Sequence, residues 1–597
     1  MFICANVQNM QLEDLGLIGN CQISALVHKR GEVVWCCLPR FDSEPVFSTL
    51  LDVEDGGRFR ISPAGGESGT QRYLPNTNIL ETTFQTSTGS FRVIDFAPRF
   101  LQFGRAFRPT QLIRIVEPIE GTPRITVICE PRLGWSKEIP FAVQGSHHIH
   151  FEGFASPLRL TTDLPLSYLG GQPFTLTGRS HLVLNWGTAV EEPLAPLCDR
   201  FLNETSRYWL RWVKQCDIPP KYQGEVIRSA LTLKLHCFED TGAIIAAMTT
   251  SIPESPGSGR TWDYRYCWLR DSYYVLNALG LLGQFEEREQ FVQYLLNIAG
   301  GAPGLNLAPL YRVDGSQNLE ERILENWPGY NGEQPVRIGN AAALHSQNDI
   351  YGEMVLALTP IFLDERMSAE RSPAALRLIE GLARKAISLA GVPDAGIWEY
   401  RTEWKPQTFS TLMCWAAADR MAGIAERHEP ALAAEFRTAA ERIHAELMDH
   451  TWSAGKKSFV GHYGGEDLDA SVLQMVRLRF LSAEDPKLNS TIDAIHKDLM
   501  RVGWLHRYSL NDGFGKPTVA FAICTFWLIE ALAAVGRREE SRAVFDGIHG
   551  ALSPLGLLSE DFDPTMPRMW GNFPQTYSHV GLIHAAFAAA PTWAEIL

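Results

Sequence analysis

Residues 198–216 read CDRFLNETSRYWLRWVKQC, and this stretch divides the chain into two textures. Upstream of it, short β-branched segments bounded by Gly, Pro or Asp follow one another: ISALVHKRGEVVWCCL at 23–38, GSFRVIDFAP at 89–98, QLIRIVEPIEG at 111–121, PRITVICEPR at 123–132 and HLVLNWG at 181–187. Many short strands at this spacing predict a sandwich, in which two sheets bury their inner faces against each other. From the quoted stretch onward, apolar residues recur every three or four positions, the period of a helix face. EVIRSALTLKLHCF (225–238), NDIYGEMVLALTPIFL (348–363), FSTLMCWAAADRMAGIAERH (409–428), AFAICTFWLIEALAAVG (520–536) and YSHVGLIHAAFAAA (577–590) are of this kind, and the long run at 271–300 reads as helix throughout. The prediction is a multidomain α and β chain: an N-terminal β-sandwich over 1–200, a helical linker over 201–220 and a helical catalytic domain over 221–597. Roughly a dozen helices in alternating inner and outer layers would close an (α/α)6 barrel, although periodicity alone does not separate that from another large helical array.

The bulk numbers narrow the partners. A chain of 597 residues exceeds what one hydrophobic core holds. A net charge of −14 argues against a nucleic-acid partner, because phosphate binding draws its affinity from a basic surface. It suits a neutral small molecule, which needs no electrostatic steering. The 11 cysteines are scattered, with Cys36 and Cys37 the close pair, and no CxxC is matched by a second, so a zinc site is not expected. Cysteines of this kind read as reduced core residues and point to the cytoplasm. The opening MFICANVQNMQLEDLG has no basic stretch and no apolar run, so it does not read as an export signal. No run of about 18 apolar residues is present, so no membrane span is expected. A homo-oligomer is left open.

Four segments between helices carry Trp, Tyr, Asp, Glu, Arg and His beyond what packing requires. SGRTWDYRYCWLRDSYYVLNALG (258–280) presents Trp262, Asp263, Trp268, Arg270 and Asp271 ahead of an apolar helix. Adjacent Arg and Asp offer donors and acceptors to neighbouring hydroxyls of one sugar, or else form a cap and a solvated Arg. DAGIWEYR (394–401) sets Glu399 beside Trp398. An indole can desolvate a carboxyl and keep it protonated, as a general acid requires; the plainer reading is an exposed Glu favoured by a helix dipole. GWLHRYSLNDGFG (503–515) brings Arg507, Tyr508 and Asp512, as a polar pocket wall or a loop ion pair. GLLSEDFDPTMPRMWGNFPQTYSHVGLIHAA (556–586) crowds Glu560, Asp561 and Asp563, then adds Trp570, Tyr577 and His579. Carboxylates this close repel one another, so at least one needs a partner or a role, unless the turn is simply acidic surface. Sugars suit such loops, since aromatic faces cover the C–H side of a pyranose while carboxylates and Arg bond its hydroxyls.

In this content and order the segments resemble family 15 of the glycoside hydrolases, the glucoamylase-like enzymes that include bacterial glucoamylases and trehalases. DLGLIGNCQISALV (14–27), WCCLPRFDSEPVFSTLLD (35–52), LYRVDGSQNLEER (310–322) and GYNGEQPVRIGNAA (329–342) extend the resemblance over nearly the whole chain. It implies an N-terminal β-sandwich and a C-terminal (α/α)6 barrel. It implies that Glu399, after Trp398, is the catalytic acid, and that Glu560, in Ser559-Glu560-Asp561-Phe562-Asp563, is the catalytic base. Asp561 stands where the family more often has Gln or Glu, so the base could sit one residue along. The resemblance also implies that Trp268, Arg270 and Asp271 hold the nonreducing glucose, that Trp398 and Arg507 line the sugar site, and that no metal or organic cofactor is used.

The chemistry expected is an inverting, exo-acting hydrolysis of an α-glucoside that releases β-glucose, with the carboxyls roughly 6.5–9.5 Å apart to admit water. Trehalose is the first substrate expected; maltooligosaccharides or isomaltose, cleaved in the manner of a glucoamylase, come second. Two readings from other classes are weighed beside these. A sugar phosphorylase would need an anion site where Glu560, Asp561 and Asp563 repel phosphate. A non-catalytic sugar-binding protein would have no use for an acid–base pair.

Overall fold

The computed structural model describes residues 10–401, 403–512, 515–548 and 552–597. The first nine residues of the stretch read for an export signal, and Gly513 and Phe514 of the third motif, lie outside them. Two antiparallel sheets form the N-terminal part. In one, Leu15–Gly19, Ser24–His28, Glu32–Cys37, Arg58–Pro63, Arg124–Glu130 and Phe174–Thr175 lie side by side, with Pro45–Phe47 paired to Glu32–Cys37. In the other the order is Phe141–Gln144, His148–Glu152, Leu158–Thr162, Ser180–Trp186, Gln111–Gly121, Gly89–Phe96, Leu80–Thr86 and Thr70–Tyr73. Arg114 of the second sheet pairs with Asp95 at 2.7 Å and donates to the backbone of Phe59 and Gly31 at 2.7 and 2.8 Å, which ties the two sheets across their shared core.

Leu15–Gly19 and Ser24–His28 are buried along their whole length, which a half-solvated sheet does not show. Their outer side is covered by the helical part: Trp35 Nε1 donates to the carbonyl of Met248 at 2.7 Å, and Ser24 Oγ meets Met248 Sδ at 3.0 Å. The stretch from which the reading began is one helix, α1 (Leu194–Lys214). Its first turns pack Leu197, Cys198 and Phe201 on Ile79, Ile94 and Phe96 of the sandwich, and its last bury Trp209, Trp212 and Val213 in the main core.

The helices that follow are α2 (Gln223–His236), α3 (Leu269–Leu281), α4 (Glu286–Gly300), α5 (Asp349–Leu363), α6 (Pro373–Leu389), α7 (Thr408–His428), α8 (Pro430–Thr451), α9 (Gln474–Leu478), α10 (Pro486–Leu499), α11 (Ala522–Ala534), α12 (Arg538–Ile548) and α13 (Thr576–Ala589). The run at 271–300 is two helices rather than one. Gly283, at φ 77°, takes a left-handed conformation that ends α3 and lets α4 turn back. α3, α5, α7, α9, α11 and α13 touch in that order and α13 closes on α3, an inner ring of six. The intervening helices pack outside it, which gives the (α/α)6 barrel. α7, α11 and α13 are buried nearly all round, as helices inside a second helical layer must be.

The seam between sandwich and barrel carries a buried ion cluster. Glu239 Oε1 accepts from Arg99 of the sandwich at 2.5 Å and from Lys234 of α2 at 2.6 Å, and Lys234 also meets Glu287 at 2.6 Å. The ten cysteines among the described residues are all free. No helix among those residues is long and apolar enough to cross a membrane.

Candidate active site

Parallel inner helices put all their N-termini at one end of the barrel, and the segments leading into them wall a single cavity. The segment before α3 supplies Glu254, Trp262, Tyr264, Trp268, Arg270 and Asp271; that before α7 supplies Trp398, Glu399, Tyr400 and Arg401. The segment before α11 supplies Arg507, Tyr508 and Asp512, and that before α13 supplies Glu560, Gln575 and Tyr577. With its mouth the cavity encloses about 840 Å3, inside the range of roughly 300–1,000 Å3 common for small-molecule sites. Its wall runs from buried to exposed residues. Arg270, Asp271, Gln575 and Tyr577 are buried, Trp262 and Tyr400 are half-buried, and Arg401 is exposed at the rim.

All seven residues to which the resemblance gives a role, Trp268, Arg270, Asp271, Trp398, Glu399, Arg507 and Glu560, line this cavity, whereas Asp263, Asp561, Asp563, Trp570 and His579 do not. Glu399 lies in the turn before α7, and Glu560 precedes the strand Asp561–Asp563 and accepts through its carbonyl from Ala522 N, the first residue of α11, at 3.0 Å, so the two come from different places in the ring.

Glu399 is held by donors. Its Oε1 accepts from Trp268 Nε1 at 2.8 Å, Arg270 Nη2 at 3.1 Å and Gln347 Nε2 at 3.1 Å. Arg270 is itself fixed by Gln347 at 2.7 Å and Asp349 at 2.9 Å. The indole that meets Glu399 is therefore that of Trp268. The neighbouring Trp398 turns its N–H to Asp469 at 2.7 Å. Glu399 sits at φ 57°, a left-handed conformation costing a non-glycine residue about 1–2 kcal/mol. The turn holds it there through Glu399 N to Gly396 O at 3.1 Å and Tyr400 N to Ala395 O at 2.9 Å. Strain of this kind, kept by its surroundings, is common where a side chain must be aimed.

Glu560 has other neighbours. Tyr264 Oη donates to Glu560 Oε1 at 2.8 Å, and Oε2 is buried with no hydrogen-bond partner among the described residues. Gly571, at φ 73°, passes so close that a Cβ there would lie 2.6 Å from Glu560 Cβ, so this position excludes any side chain. Burial and the nearby Glu254 carboxylate hold the Glu560 carboxyl above the usual range, against the hydrogen bond from Tyr264. Asp561, next along, is buried but does not line the cavity, and neither of its oxygens has a hydrogen-bond partner among the described residues. Burial and Glu560 drive its carboxyl up as well. Asp563 accepts from Thr565 in a turn outside the site.

Asp271 lines the buried part of the cavity, and burial pushes its carboxyl up to about 7 against the pull of Arg270. Arg270 and Asp271 are not hydrogen-bonded to each other among the described contacts; the arginine is committed to Glu399, Gln347 and Asp349. Arg507 pairs with Glu254, which also accepts from Trp262 Nε1 at 3.0 Å, and Arg260 braces Asp512 at 2.6 and 2.8 Å. Asp263 leaves the site altogether. It pairs with Arg265 at 2.7 Å, whose guanidinium reaches the sandwich backbone at Ser43.

Sequence reasoning missed Tyr264, Glu254, Gln347, Asp349 and Asp469. Tyr264 had a signal: alternation puts it on the side of Trp262, with Asp263 and Arg265 on the other, although the period breaks at Tyr266, which turns to Asp263. The others lie outside the four motifs. Among the described residues no three His, Cys, Asp or Glu side chains are grouped to hold a metal.

Comparison with known proteins shows the family and the fold. The family profile of glycosyl hydrolases family 15 matches residues 220–587, and the profile of a trehalase-like N-terminal domain matches residues 4–163. The trehalase of Mycolicibacterium smegmatis is 34% identical over 616 residues, covering 96% of this chain and 90% of the relative. The trehalase of Thermoplasma volcanium is 32% identical over 584 residues, covering 96% and 92%. The crystal structure of a bacterial glucoamylase complexed with acarbose superposes with a TM-score of 0.67 at 13% identity, covering 98% of this chain and 94% of that one, a likeness of fold.

Proposed function

The chain belongs to glycosyl hydrolases family 15, an inverting family, and from that premise we propose that it hydrolyses α,α-trehalose, with Glu399 as general acid and Glu560 as general base. The observation that carries this is one cavity lined by both carboxyls, with Arg270, Asp271, Gln575 and Tyr577 buried in its wall and Arg401 exposed. The buried part accepts one terminal glucose, so the enzyme acts from the nonreducing end. Asp271, Trp268 and Arg507 receive that glucose. Glu399 Oε2 gives its proton to the glycosidic oxygen, while Oε1 stays on its three donors. Glu560 Oε2 takes a proton from a water on the other face of the ring, and the attack releases β-glucose.

The choice of trehalose is supported by relatives that bear that name along nearly their full length and by the trehalase-like N-terminal domain. In this reading the sandwich ends with the strand Ser180–Trp186, α1 (Leu194–Lys214) is the linker and runs across the boundary expected at 200, the catalytic domain follows it, and the free cysteines suit a reducing cytosol. A glucose-release panel with trehalose, maltose, isomaltose, maltoheptaose and soluble starch tests the substrate. Trehalose is expected to give the highest kcat/KM. A higher value on maltoheptaose than on any disaccharide would replace this reading with glucoamylase-type action on maltooligosaccharides.

A further inference from the structure

Glu321 and Arg337 belong to the two motifs, 310–322 and 329–342, to which the mechanism assigns no task. Both converge on the rim of the cavity. Glu321 holds Arg401 through two contacts, Nη1 to Oε1 at 3.3 Å and Nη2 to Oε2 at 3.1 Å, and reaches Arg337 Nε at 3.5 Å. The Arg401 and Arg337 guanidinium groups lie 4.1 and 4.7 Å over the ring of Trp262. The indole cannot swing away, because its Nε1 is bonded to Glu254 at 3.0 Å and Glu254 is paired with Arg507. Trp262, half-buried, and Arg401, exposed, both line the cavity, whereas Arg270 and Asp271 in the same wall are buried. Arg401 also lies two residues from Glu399, the group assigned to protonate the departing oxygen.

From this arrangement we propose that Trp262 and Arg401 form the platform for the leaving sugar, and that Glu321 is the residue that positions it. The inference rests on the disaccharide reading above and adds which groups recognise the second ring. The guanidinium offers donors to the hydroxyls of a neutral pyranose, and the indole on which it stacks fixes its plane. Two of the Arg401 N–H groups are spent on Glu321, which leaves the rest of the fork to donate to hydroxyls of the departing ring. Because the carboxylate clamps the guanidinium before substrate arrives, little ordering is left to do on binding. The platform touches only the leaving group, so it bears on substrates that have a second sugar and is idle for those that lack one.

The test compares trehalose with α-glucosyl fluoride, which carries the same glucose and no second ring, in Arg401→Ala, Arg401→Lys and Glu321→Gln. Arg401→Ala is expected to lose roughly tenfold or more in kcat/KM on trehalose, mostly through KM, the worth of one or two charge-assisted hydrogen bonds, while kcat/KM on the fluoride stays within about twofold. Arg401→Lys keeps the charge but not the fork and falls in between. Glu321→Gln shows the same substrate-dependent pattern more weakly, which a merely folded-state defect would not do. Equal losses on both substrates, or no loss on trehalose, overturn the proposal. If the wild type is inert on trehalose, the substrate reading falls instead, and the comparison is made with the disaccharide it cleaves best; the platform then stands or falls on the same ratio to the fluoride.

Discussion

The hydroxyl of Tyr264 donates to Oε1 of Glu560 at 2.8 Å. The same ring lies edge-on against Trp268, with centroids 5.3 Å apart, and Trp268 holds Glu399 at 2.8 Å. One extended segment therefore braces both carboxyls, the first through a phenol and the second through an indole. Spacing between the two is set by packed rings rather than by flexible loops.

Tyr264→Phe removes a hydrogen bond that favours the charged form of Glu560. The carboxyl then rises further above its usual range, since burial and Glu254 already push it up. A base with a higher pKa is protonated over a wider range, so the acid limb of the kcat/KM profile moves to higher pH, and activity at a fixed acidic pH falls. The free-enzyme profile reports this directly. An unchanged limb with lower activity would mean that Tyr264 acts only through packing.

Asp271 lies in the buried wall of the cavity with its carboxyl raised to about 7 by burial. Asp271→Asn should cost about 10²-fold or more, the worth of two hydrogen bonds to a charged group, on trehalose, maltose and α-glucosyl fluoride alike. Steady-state kinetics on the three checks this. Loss on the disaccharides alone would move Asp271 to the leaving-group side.

Glu239 ties Arg99 of the sandwich to Lys234 of the barrel. Although burial alone would raise it, these cations hold its carboxyl down from 4.5 to about 2. A depressed carboxyl contributes stability above its unfolded value and loses it as pH falls toward the folded one, here between 4.5 and about 2. Glu239→Gln leaves buried cations short of a counter-charge and should cost about 3–5 kcal/mol near neutral pH. Urea midpoints measured from pH 7 down to 3 should show the gap to wild type narrowing with acid. A gap independent of pH would mean that the cluster is held by packing and not by charge.

Much of this was legible because local pattern and environment agree. The strand at Gln111–Gly121 is the segment QLIRIVEPIEG from end to end, and α7 covers the apolar run from 409 to 428. Two outer helices were not visible as apolar runs. α10 and α12 bury only one narrow stripe and carry Lys, Asp, Glu or Arg on the rest, so their apolar content is low. The two candidate carboxyls showed as motifs, yet the motif could not say which indole meets Glu399. That depends on the contact of α3 with the turn before α7, 131 positions apart in the chain. Nor could adjacency show that Arg270 and Asp271 diverge, one to Asp349 and Glu399 and the other to the buried cavity wall. Partners such as Gln347 and Asp349 enter through the ring order of the helices, which no single segment encodes.

The central claim is the division of labour between Glu399 and Glu560. Fluoride leaves with little need of a proton, so α-glucosyl fluoride separates the two roles. With Glu399→Gln the account predicts a loss of at least about 10²-fold in kcat on trehalose and far less on the fluoride, whereas Glu560→Gln loses activity on both. Equal collapse of Glu399→Gln on the two substrates, or near wild-type turnover of either variant on trehalose, would contradict it.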